Sequence, residues 1–349
     1  MLTATLHWIL IAAITVAGLS ATNQSGLHRY ESVEPYMGTL VKITLYASDE
    51  QAATKAFRAS FDRIGDLDRI LSDYKPDSEL NQLATTAVGR AINVSDDLFT
   101  VLAASQELAA ATGGAFDVTQ GPVIRLWREA RRTSRVPDAA ALKEAASRGG
   151  YQKLHLDAAN QTARLDRAGM ALDVGAIGKG YAASEALAVL GRLGVRSALV
   201  AVSGDLAFSD APPGERGWRI DIHADDPALA AVPRLLELTN AAVSSSGNSQ
   251  QHLDTGEQRY SHVIDPASGM GLTEDITVTV IAPTGLESDG LDTAASVLGP
   301  ERGLALIESR PGVAAIIIRR TRSRTEVVMS SRFREHVASQ VDRRPHSTK

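Results

Sequence analysis

Residues 276–299 read ITVTVIAPTGLESDGLDTAASVLG, an apolar run with strand character followed by a segment that should open a helix. Asp292 and Thr293 follow Asp289 by three and four residues, so a helix places these two carboxylates and the hydroxyl on one face. Two interpretations stay open. Either Asp289 or Ser288 caps the helix, or the oxygen groups bind a hard cation. Taken alone, the stretch favours capping, because such signals open most helices.

Strand and helix patterns follow one another irregularly along the chain, which fits an α+β fold better than a doubly wound sheet. After a short polar link, strands are predicted at 39–47, 217–224, 241–248, 259–265, 276–283, 314–320 and 325–330, with a hairpin at 153–165. Helices are predicted at 51–74, 97–112, 138–148, 289–298 and 303–309, and a further arginine-rich helix is predicted to end at Arg132. Residues 170–202 read as strand, glycine-rich turn, helix and strand.

The composition excludes several classes of function. The formal net charge of −5 argues against nucleic acid as a partner, because such binding depends on clustered positive charge. The chain has no cysteine, which excludes disulfides, thiol nucleophiles and thiolate metal ligands. Arginines nevertheless gather locally, and they read as a solvated helix face, with a phosphate or partner patch as the alternative: Arg125, Arg128, Arg131, Arg132 and Arg135.

The N-terminal residues 1–21 have the shape of a secretory signal. Residues 6–19 are almost wholly apolar but too few for a confident membrane span, and small residues then lead into a polar stretch. An uncleaved anchor is the alternative. The expectation is an exported protein, periplasmic or facing the periplasm at the inner membrane, and not an N-terminal lipoprotein. The main domain is predicted at 28–335, with a disordered tail at 336–349.

Of all parts of the sequence, the segment LDVGAIGKGYAAS, residues 172–184, is most like a phosphate-binding loop. Its glycines let the backbone approach an anion, the following helix offers N–H groups, and Lys179 could neutralise a phosphate oxygen. It is not a Walker A loop, because Gly180 stands where that loop needs Ser or Thr. An ordinary tight turn remains the alternative.

Three further stretches combine turn signals with polar groups. TGGAFDVTQGP (112–122) reads in isolation as a helix stop followed by a loop. AVSSSGN (242–248) is the end of a predicted strand that runs into hydroxyls and a glycine, and in isolation it favours a plain polar turn. RYSHVIDPASG (259–269) reads as a strand ending in a turn, in which His262 is either structural or placed to orient a phosphate or accept a proton.

Taken in order, these stretches resemble the ApbE family, the FAD:protein FMN transferases. The matching pieces run from about Tyr36 to Gly299: YMGTLVKITLY, DRILSDYKPDSELNQLA, TGGAFDVTQGPVIRLW, LDVGAIGKGYAAS, AVSSSGN, RYSHVIDPASG and SDGLDTAASVLG. The resemblance implies a mixed α+β fold related to T-folds. One motif departs, since the family's GGD appears here as Ser203-Gly204-Asp205.

The resemblance also implies a set of site residues. Met37 and Tyr74 match flavin contacts, Asp173 and Lys179 match FAD contacts, and Val263 and Ile264 lie along the cofactor. Ala115, Phe116 and Asp117 match the loop over the adenosine and ribose. The implied magnesium ligands are the Ala176 carbonyl, Asp289, Asp292 and Thr293, and His262 with Asp289 is implied in catalysis, with Asp265 orienting the histidine.

The implied reaction is a magnesium-dependent transfer of FMN from FAD to a Thr or Ser hydroxyl of an acceptor protein, with release of AMP. The implied acceptor carries an FMN-binding domain, in a subunit of a membrane electron-transfer complex or in a regulator linked to nitrous oxide reduction. Two alternatives stay open: an FAD pyrophosphatase that yields FMN and AMP, and a non-catalytic flavin-binding maturation factor.

Overall fold

A computed structural model describes residues 26–222, 229, 232–247, 252–256, 258–321 and 324–338. The strands are β1 His28–Tyr36, β2 Thr39–Ala47, β3 Ile92–Asn93, β4 Leu154–Asp157, β5 Thr162–Leu165, β6 Ala198–Val202, β7 Asp205–Phe208, β8 Trp218–Asp221, β9 Leu235–Leu238, β10 Ala241–Gly247, β11 His252–Asp254, β12 Arg259–Ser261, β13 Ile264–Asp265, β14 Met270–Gly271, β15 Asp275–Ala282, β16 Ala314–Arg320 and β17 Thr325–Met329. The α-helices are α1 Glu50–Leu71, α2 Glu79–Thr86, α3 Asp96–Thr112, α4 Gly121–Thr133, α5 Ala139–Arg148, α6 Gly178–Arg192 and α7 Gly285–Glu308.

Eight strands form one antiparallel sheet in the order β1-β2-β6-β7-β10-β15-β16-β17. Side chains of a strand alternate between its two faces, and both faces of this sheet are covered. In β6, Ala198 and Val200 pack with residues of α1 and α6, whereas Leu199 and Ala201 pack with residues of the β8–β9 hairpin. The helices therefore lie on one face, which confirms the predicted α+β class.

Most of the predicted elements are present. The stripe of α1 buries Phe61, Ile64 and Leu67, and the side chain of Asp49 caps this helix by accepting the Ala52 N–H at 2.8 Å. Helix α3 ends at Gly113, whose φ of 61° is the left-handed conformation expected at a C-terminal glycine.

Several predicted boundaries are wrong. Where a polar link is predicted, the structure has the edge strand β1, which pairs with β2 along all nine residues. The strand is only half-buried, so its alternation of apolar and polar residues is weak. The predicted strand 259–265 breaks after Ser261, because β12 pairs with β11 and β13 pairs with β14. The predicted strand at 170–174 has a single bridge, from Ala171 to Gln120. Helix α2 was not predicted.

Helix α7 begins earlier than predicted and joins the two helices expected at 289–298 and 303–309. Its N-cap is Thr284, whose hydroxyl accepts the Glu287 N–H at 3.3 Å, so capping by Asp289 or Ser288 is wrong. Gly299, with φ of 76°, and Pro300 kink the helix between the two predicted segments. Asp289 lies inside the helix and is 3 % exposed.

The N-termini of α6 and α7 cross at a pair of glycines. A Cβ at Gly180 would overlap the carbonyl of Gly285 and lie 2.7 Å from the Cβ of Asp289, and a Cβ at Gly285 would overlap Gly180. The Gly285 N–H also donates to the Ser184 hydroxyl at 2.8 Å. Neither position accepts a side chain, so the two backbones approach one another directly.

Two predictions lie outside the described residues. The N-terminal signal or anchor falls within residues 1–25, and most of the predicted tail falls within 339–349. Among the residues that are described, no helix has the length and apolar character needed to cross a bilayer.

The glycine crossing can be tested by alanine substitution. We expect Gly180→Ala to lower the free energy of unfolding by at least about 3 kcal/mol, because the added methyl group meets backbone that cannot move aside. The matched control is Gly191→Ala in the same helix, where a Cβ meets nothing within 4 Å. That control should raise the free energy of unfolding by about 0.5–1 kcal/mol. Chemical denaturation measures both, and equal stability of the two variants would contradict the crossing.

Candidate active site at the helix crossing

Three buried carboxylates converge at the crossing of α6 and α7. Asp205, Asp289 and Asp292 each offer an oxygen atom within 4.8 Å of the other two, and none is more than 4 % exposed. Asp205 opens β7, and the other two lie on the inner face of α7, as the spacing of three residues predicts. The Thr293 hydroxyl donates to Asp292 Oδ1 at 3.1 Å. The structure therefore brings the predicted ligands of α7 together.

Asp289 also accepts a hydrogen bond from a backbone N–H in the first turn of the neighbouring helix α6. Its Oδ2 accepts the Gly180 N–H at 2.9 Å, so this carboxylate binds the positive end of α6 and not that of its own helix. In a helix that began earlier, this N–H would donate to the Ala176 carbonyl four residues before it. Ala176 instead lies in the turn before Ile177, the N-cap of α6. The Gly180 N–H therefore does not bond the Ala176 carbonyl, which the resemblance implies as a metal ligand.

Lys179 is the positive charge next to this cluster. Its Nζ lies 2.8 Å from Asp205 Oδ2 and 3.5 Å from Asp289 Oδ1. Burial lowers the pKa of Lys179, but Asp205 and Asp289 outweigh that effect and raise it overall, so the ammonium stays charged. Three carboxylates and one ammonium leave two net negative charges when all are ionised.

Burial and mutual repulsion oppose ionisation of the cluster. Burial and the nearby Asp205 raise the pKa of Asp289 to about 7, against the opposing effect of Lys179. Burial and the charges of Asp289 and Asp205 raise the pKa of Asp292 well above its ordinary value. Because these groups are all oxygen donors and carry excess negative charge, they fit a divalent hard cation.

The serines of AVSSSGN hold α7 against the sheet. Ser244 and Ser246 of β10 point to the helix side, where their hydroxyls bond Ser288 at 2.8 Å and Ser296 at 2.6 Å. Ser246 also donates to the backbone carbonyl of Asp292 at 3.1 Å. The strand predicted at 241–248 is therefore present as β10, and it positions the acidic helix rather than forming the alternative polar turn. Asn248 lies outside the described residues.

A second cluster lies at the other end of the segment that carries Lys179. Asp173, buried, accepts the Gly175 N–H at 2.9 Å and an Arg128 guanidinium N–H at 2.7 Å. Arg128 also bonds Asp73, and its guanidinium lies 4.2 Å from the centre of the Tyr74 ring. Burial and the charge of Asp73 raise the pKa of Asp173, although Arg128 opposes them. Arg128 therefore belongs to this second cluster, and the prediction that the five arginines form a solvated helix face is wrong for Arg128.

Met37 lies in the two-residue turn between β1 and β2. Met37 and Gly38 have φ values of 50° and 70°, a turn in which the first position favours Asn or Gly. A methionine is strained in this conformation, and such strain concentrates at functional positions. The Met37 Cε lies 3.9 Å from the place that a Cβ on Gly178 would take, so the side chain reaches the start of α6.

The loop after α3 is held mainly by its own hydrogen bonds. Asp117 Oδ1 accepts from the backbone N–H and the hydroxyl of Thr119, and Oδ2 accepts from Gln120 and from the Tyr151 N–H. Phe116 is 3 % exposed and packs in the core, whereas Ala115 is half-buried. The Asp173 N–H donates to the Val118 carbonyl at 2.8 Å, so the loop lies beside the second cluster. Cofactor contacts from Ala115, Phe116 and Asp117 stay predictions.

His262 occupies the bend between β12 and β13, with Val263 buried and Ile264 half-buried after it. This segment is anchored on α4, because Trp127 Nε1 donates to the Gly269 carbonyl at 2.8 Å and its ring lies 5.2 Å from that of Tyr260. Both carboxylate oxygens of Asp265 accept bonds from its own turn, from Ala267 and Ser268. That geometry favours a structural role for Asp265 over the predicted orienting one, and the roles of His262, Val263 and Ile264 stay predictions.

Two site residues were missed from the sequence. Asp205 was noted only as part of an altered motif, although an acidic residue directly after a two-residue turn was a usable signal. The first turn residue, Ser203, has φ of 59°, a conformation that favours the glycine of the usual motif. Arg128 was grouped with its exposed neighbours, and nothing in its spacing separates it from them.

Comparisons with known proteins agree with one another. A model of the ApbE family matches residues 37–317. The FAD:protein FMN transferase of Klebsiella pneumoniae (strain 342) is 33 % identical over 306 residues, which cover 85 % of this chain and 86 % of the relative. That of Treponema pallidum is 31 % identical over 315 residues, covering 86 % and 87 %. The apo flavinyl transferase ApbE of Pseudomonas stutzeri superposes with a TM-score of 0.78 at 31 % identity, covering 90 % of this chain and 98 % of the other.

The raised pKa of Asp289 predicts how stability depends on pH without divalent cations. Between about pH 4 and pH 7 the folded state binds a proton that the unfolded state has released, so the free energy of unfolding should fall as pH rises. Denaturation in chelator from pH 5 to 8 measures this slope. Asp289→Asn should make the slope shallower, with Asp292 contributing what remains, whereas the exposed control Asp210→Asn should leave the slope unchanged. A flat wild-type profile would contradict the buried charge excess.

Proposed function

The chain belongs to the ApbE family and is a transferase, and we propose that it moves FMN from FAD to a Thr or Ser hydroxyl of an acceptor protein, releasing AMP. The observation that carries this proposal is the buried cluster of Asp205, Asp289 and Asp292 next to Lys179, at the N-terminus of α6. A diphosphate in transfer needs its charge neutralised, and this arrangement supplies a cation site, an ammonium group and backbone N–H groups.

The cation of this proposal is Mg²⁺. Its ligands are the carboxylates of Asp289 and Asp292, the Thr293 hydroxyl and the Ala176 carbonyl, with Asp205 as a further acidic neighbour. These are all oxygen donors, as magnesium prefers, and the two net negative charges match its own charge. When bound, Mg²⁺ polarises phosphoryl oxygens and offsets charge that develops during transfer.

The chain's own residues hold and activate the reactants. Lys179 and the N-terminal N–H groups of α6 bind diphosphate oxygens. The flavin lies against Met37, Tyr74, Val263 and Ile264, with Asp173 contacting FAD near this end. Ala115, Phe116 and Asp117 lie along the adenosine and ribose, and because the Phe116 side chain is in the core, its contact is a backbone one.

The transfer breaks one bond and forms one. The acceptor hydroxyl oxygen bonds to the phosphorus on the FMN side, and the bond from that phosphorus to the bridging oxygen breaks. AMP leaves with the bridging oxygen, and the flavin stays on the acceptor as a phosphoester. His262 accepts the hydroxyl proton, since an imidazole is the side chain best suited to that role near neutral pH.

The acceptor and the location are part of the proposal. The acceptor carries an FMN-binding domain, in a subunit of a membrane electron-transfer complex or in a regulator linked to nitrous oxide reduction. The enzyme works in the periplasm or faces it at the inner membrane, which rests on the signal-like residues 1–21.

Incubation with FAD, Mg²⁺ and a candidate acceptor domain tests the reaction. We expect flavin fluorescence on the acceptor band in a denaturing gel and an intact-mass gain equal to one FMN phosphoester. Asp292→Asn should lower the rate at least about a hundredfold and abolish the rise in melting temperature that Mg²⁺ gives, because a ligand charge is lost. The exposed control Asp210→Asn should behave as the wild type.

The same incubation separates the alternatives. Free FMN and AMP with an unmodified acceptor would identify a pyrophosphatase, in which water replaces the hydroxyl. Bound FAD without AMP would identify a non-catalytic maturation factor. If the protein neither binds FAD nor responds to Mg²⁺, the site itself is rejected.

Replacing His262 tests the proton acceptor. We expect His262→Ala to slow transfer about a hundredfold at neutral pH while FAD affinity stays the same, because only the proton transfer is affected. Single-turnover rates and fluorescence titration measure the two quantities. The control is His155→Ala, an exposed histidine bonded to Asp166 in the β4–β5 hairpin. Full transfer by His262→Ala would show that another group takes the proton.

A further inference from the structure

Helix α4 presents arginines beside the candidate site. Its apolar residues Val123, Trp127 and Ala130 pack inward, while Arg125, Arg128 and Arg131 recur every three residues along another face. We call these three arginines with Tyr74 the arginine face. It is a local concentration of positive charge on a chain whose formal net charge is −5.

The arginine face carries more positive charge than its neighbours neutralise. Arg128 is paired with Asp73 and Asp173. Arg131 is half-buried beside Arg128 and Tyr74, and within the described residues no carboxylate bonds to it. Burial and the charge of Arg128 lower the pKa of Arg131. Arg125 is exposed, with a marginal 3.5 Å contact to the Asn81 amide oxygen. Two guanidinium groups are therefore free to bind an anion.

Tyr74 and its loop hold the arginine face in place. The residue is 71 % exposed, yet its loop is fixed because the Asn81 side chain donates to the carbonyls of Ser72, Asp73 and Lys75 at 2.8–3.3 Å. Arg128 stacks on the ring at 4.2 Å. Tyr74 thereby helps to hold Arg128 in place beside Arg125 and Arg131, and arginines are among the residue types that contribute most to protein–protein binding energy. Arginines that are already held in place lose little entropy on binding.

We propose that the arginine face binds an acidic segment of the acceptor protein next to the hydroxyl that receives FMN. This inference rests on the proposed function and names a feature of its protein substrate. Positive charge at the rim of a site steers an acidic partner toward it and fixes the partner's register, on a protein that otherwise repels acidic chains.

The diphosphate of FAD is a less suitable partner for Arg125 and Arg131. It belongs at the acidic cluster with Lys179, whereas the arginine face contacts Asp173 at the other end of the same segment. Six residue steps separate Asp173 from Lys179, which span at most about 20 Å. An extended acceptor segment of about six residues covers the same distance. Such a segment therefore reaches the cluster of Asp205, Asp289 and Asp292 with its hydroxyl and the arginine face with its acidic residues.

Two labelled peptides test the proposal with the full-length protein, FAD and a chelator. Each has one threonine with about six residues on either side, and four flanking positions are aspartate in one peptide and asparagine in the other. Fluorescence anisotropy at about 20 mM and about 300 mM salt measures binding. We expect the aspartate peptide to bind about tenfold more tightly at low salt, with the preference reduced at high salt.

Substitutions assign that preference to the arginine face. The single variants Arg125→Gln and Arg131→Gln should each reduce the preference for the aspartate peptide. The double variant should remove most of this preference and leave FAD affinity unchanged. The matched control for each single change is Arg132→Gln, which alters the net charge equally in the same helix but removes a 73 % exposed side chain paired with Glu129. The control should keep the preference.

Three outcomes would overturn the proposal. Equal binding of both peptides by the wild type rules out acidic recognition, and a parallel loss of FAD affinity in the double variant assigns the arginines to FAD. Binding to anionic phospholipid vesicles that the same substitutions abolish, without a peptide preference, assigns the face to a membrane. Because peptide binding is measured without turnover, absent FMN transfer would count against the proposed function alone.

Discussion

The contact between Gly180 and Gly285 is the constraint on which the site depends. Two helix N-termini meet there without side chains between them, and this closeness lets the Asp289 carboxylate of α7 reach the Gly180 N–H of α6. A buried carboxylate costs several kcal/mol unless other groups offset its charge. The helix terminus and Lys179 offset part of this cost, and the proposed cation would offset the negative charge that remains.

Hydrogen bonds between β10 and α7 keep the acidic cluster in place inside the core. Four buried hydroxyls, Ser244 and Ser246 on β10 with Ser288 and Ser296 on α7, join the helix to the sheet, so the polar side of the first half of α7 has partners. Asp205 reaches the same place from a different strand, through a tight turn between β6 and β7. Carboxylates held from two directions are hindered from moving apart to relieve their repulsion, and this fixed arrangement suits the proposed cation.

The sequence predicts secondary-structure elements and shared helix faces better than it predicts tertiary partners. The spacing of Asp289 and Asp292 places both on one face of α7, and the structure agrees. The same stretch allows Asp289 to cap its own helix, whereas Asp289 accepts the N–H of Gly180 in the first turn of α6, 109 residues away in sequence. No local pattern contains such a tertiary contact. Arg128 and Arg132 are alike in sequence, but only Arg128 meets the buried Asp173. The strand predicted at 259–265 failed because two short strands with different partners have the same alternation as one.

Helix α4 connects parts of the site that are far apart in the chain. Through Trp127 it anchors the turn that follows the segment with His262, and through Arg128 it anchors Asp173 and the Tyr74 loop. The helix therefore fixes the groups proposed to contact flavin and acceptor relative to one another, while the α6–α7 crossing fixes those proposed to contact the diphosphate. The two centres carry opposite excess charge, negative at the crossing and positive on α4, and the segment 173–179 joins them. A substrate with a phosphate–cation group and an acidic protein substrate can then bind side by side without competing for the same charges, as a transfer between them requires.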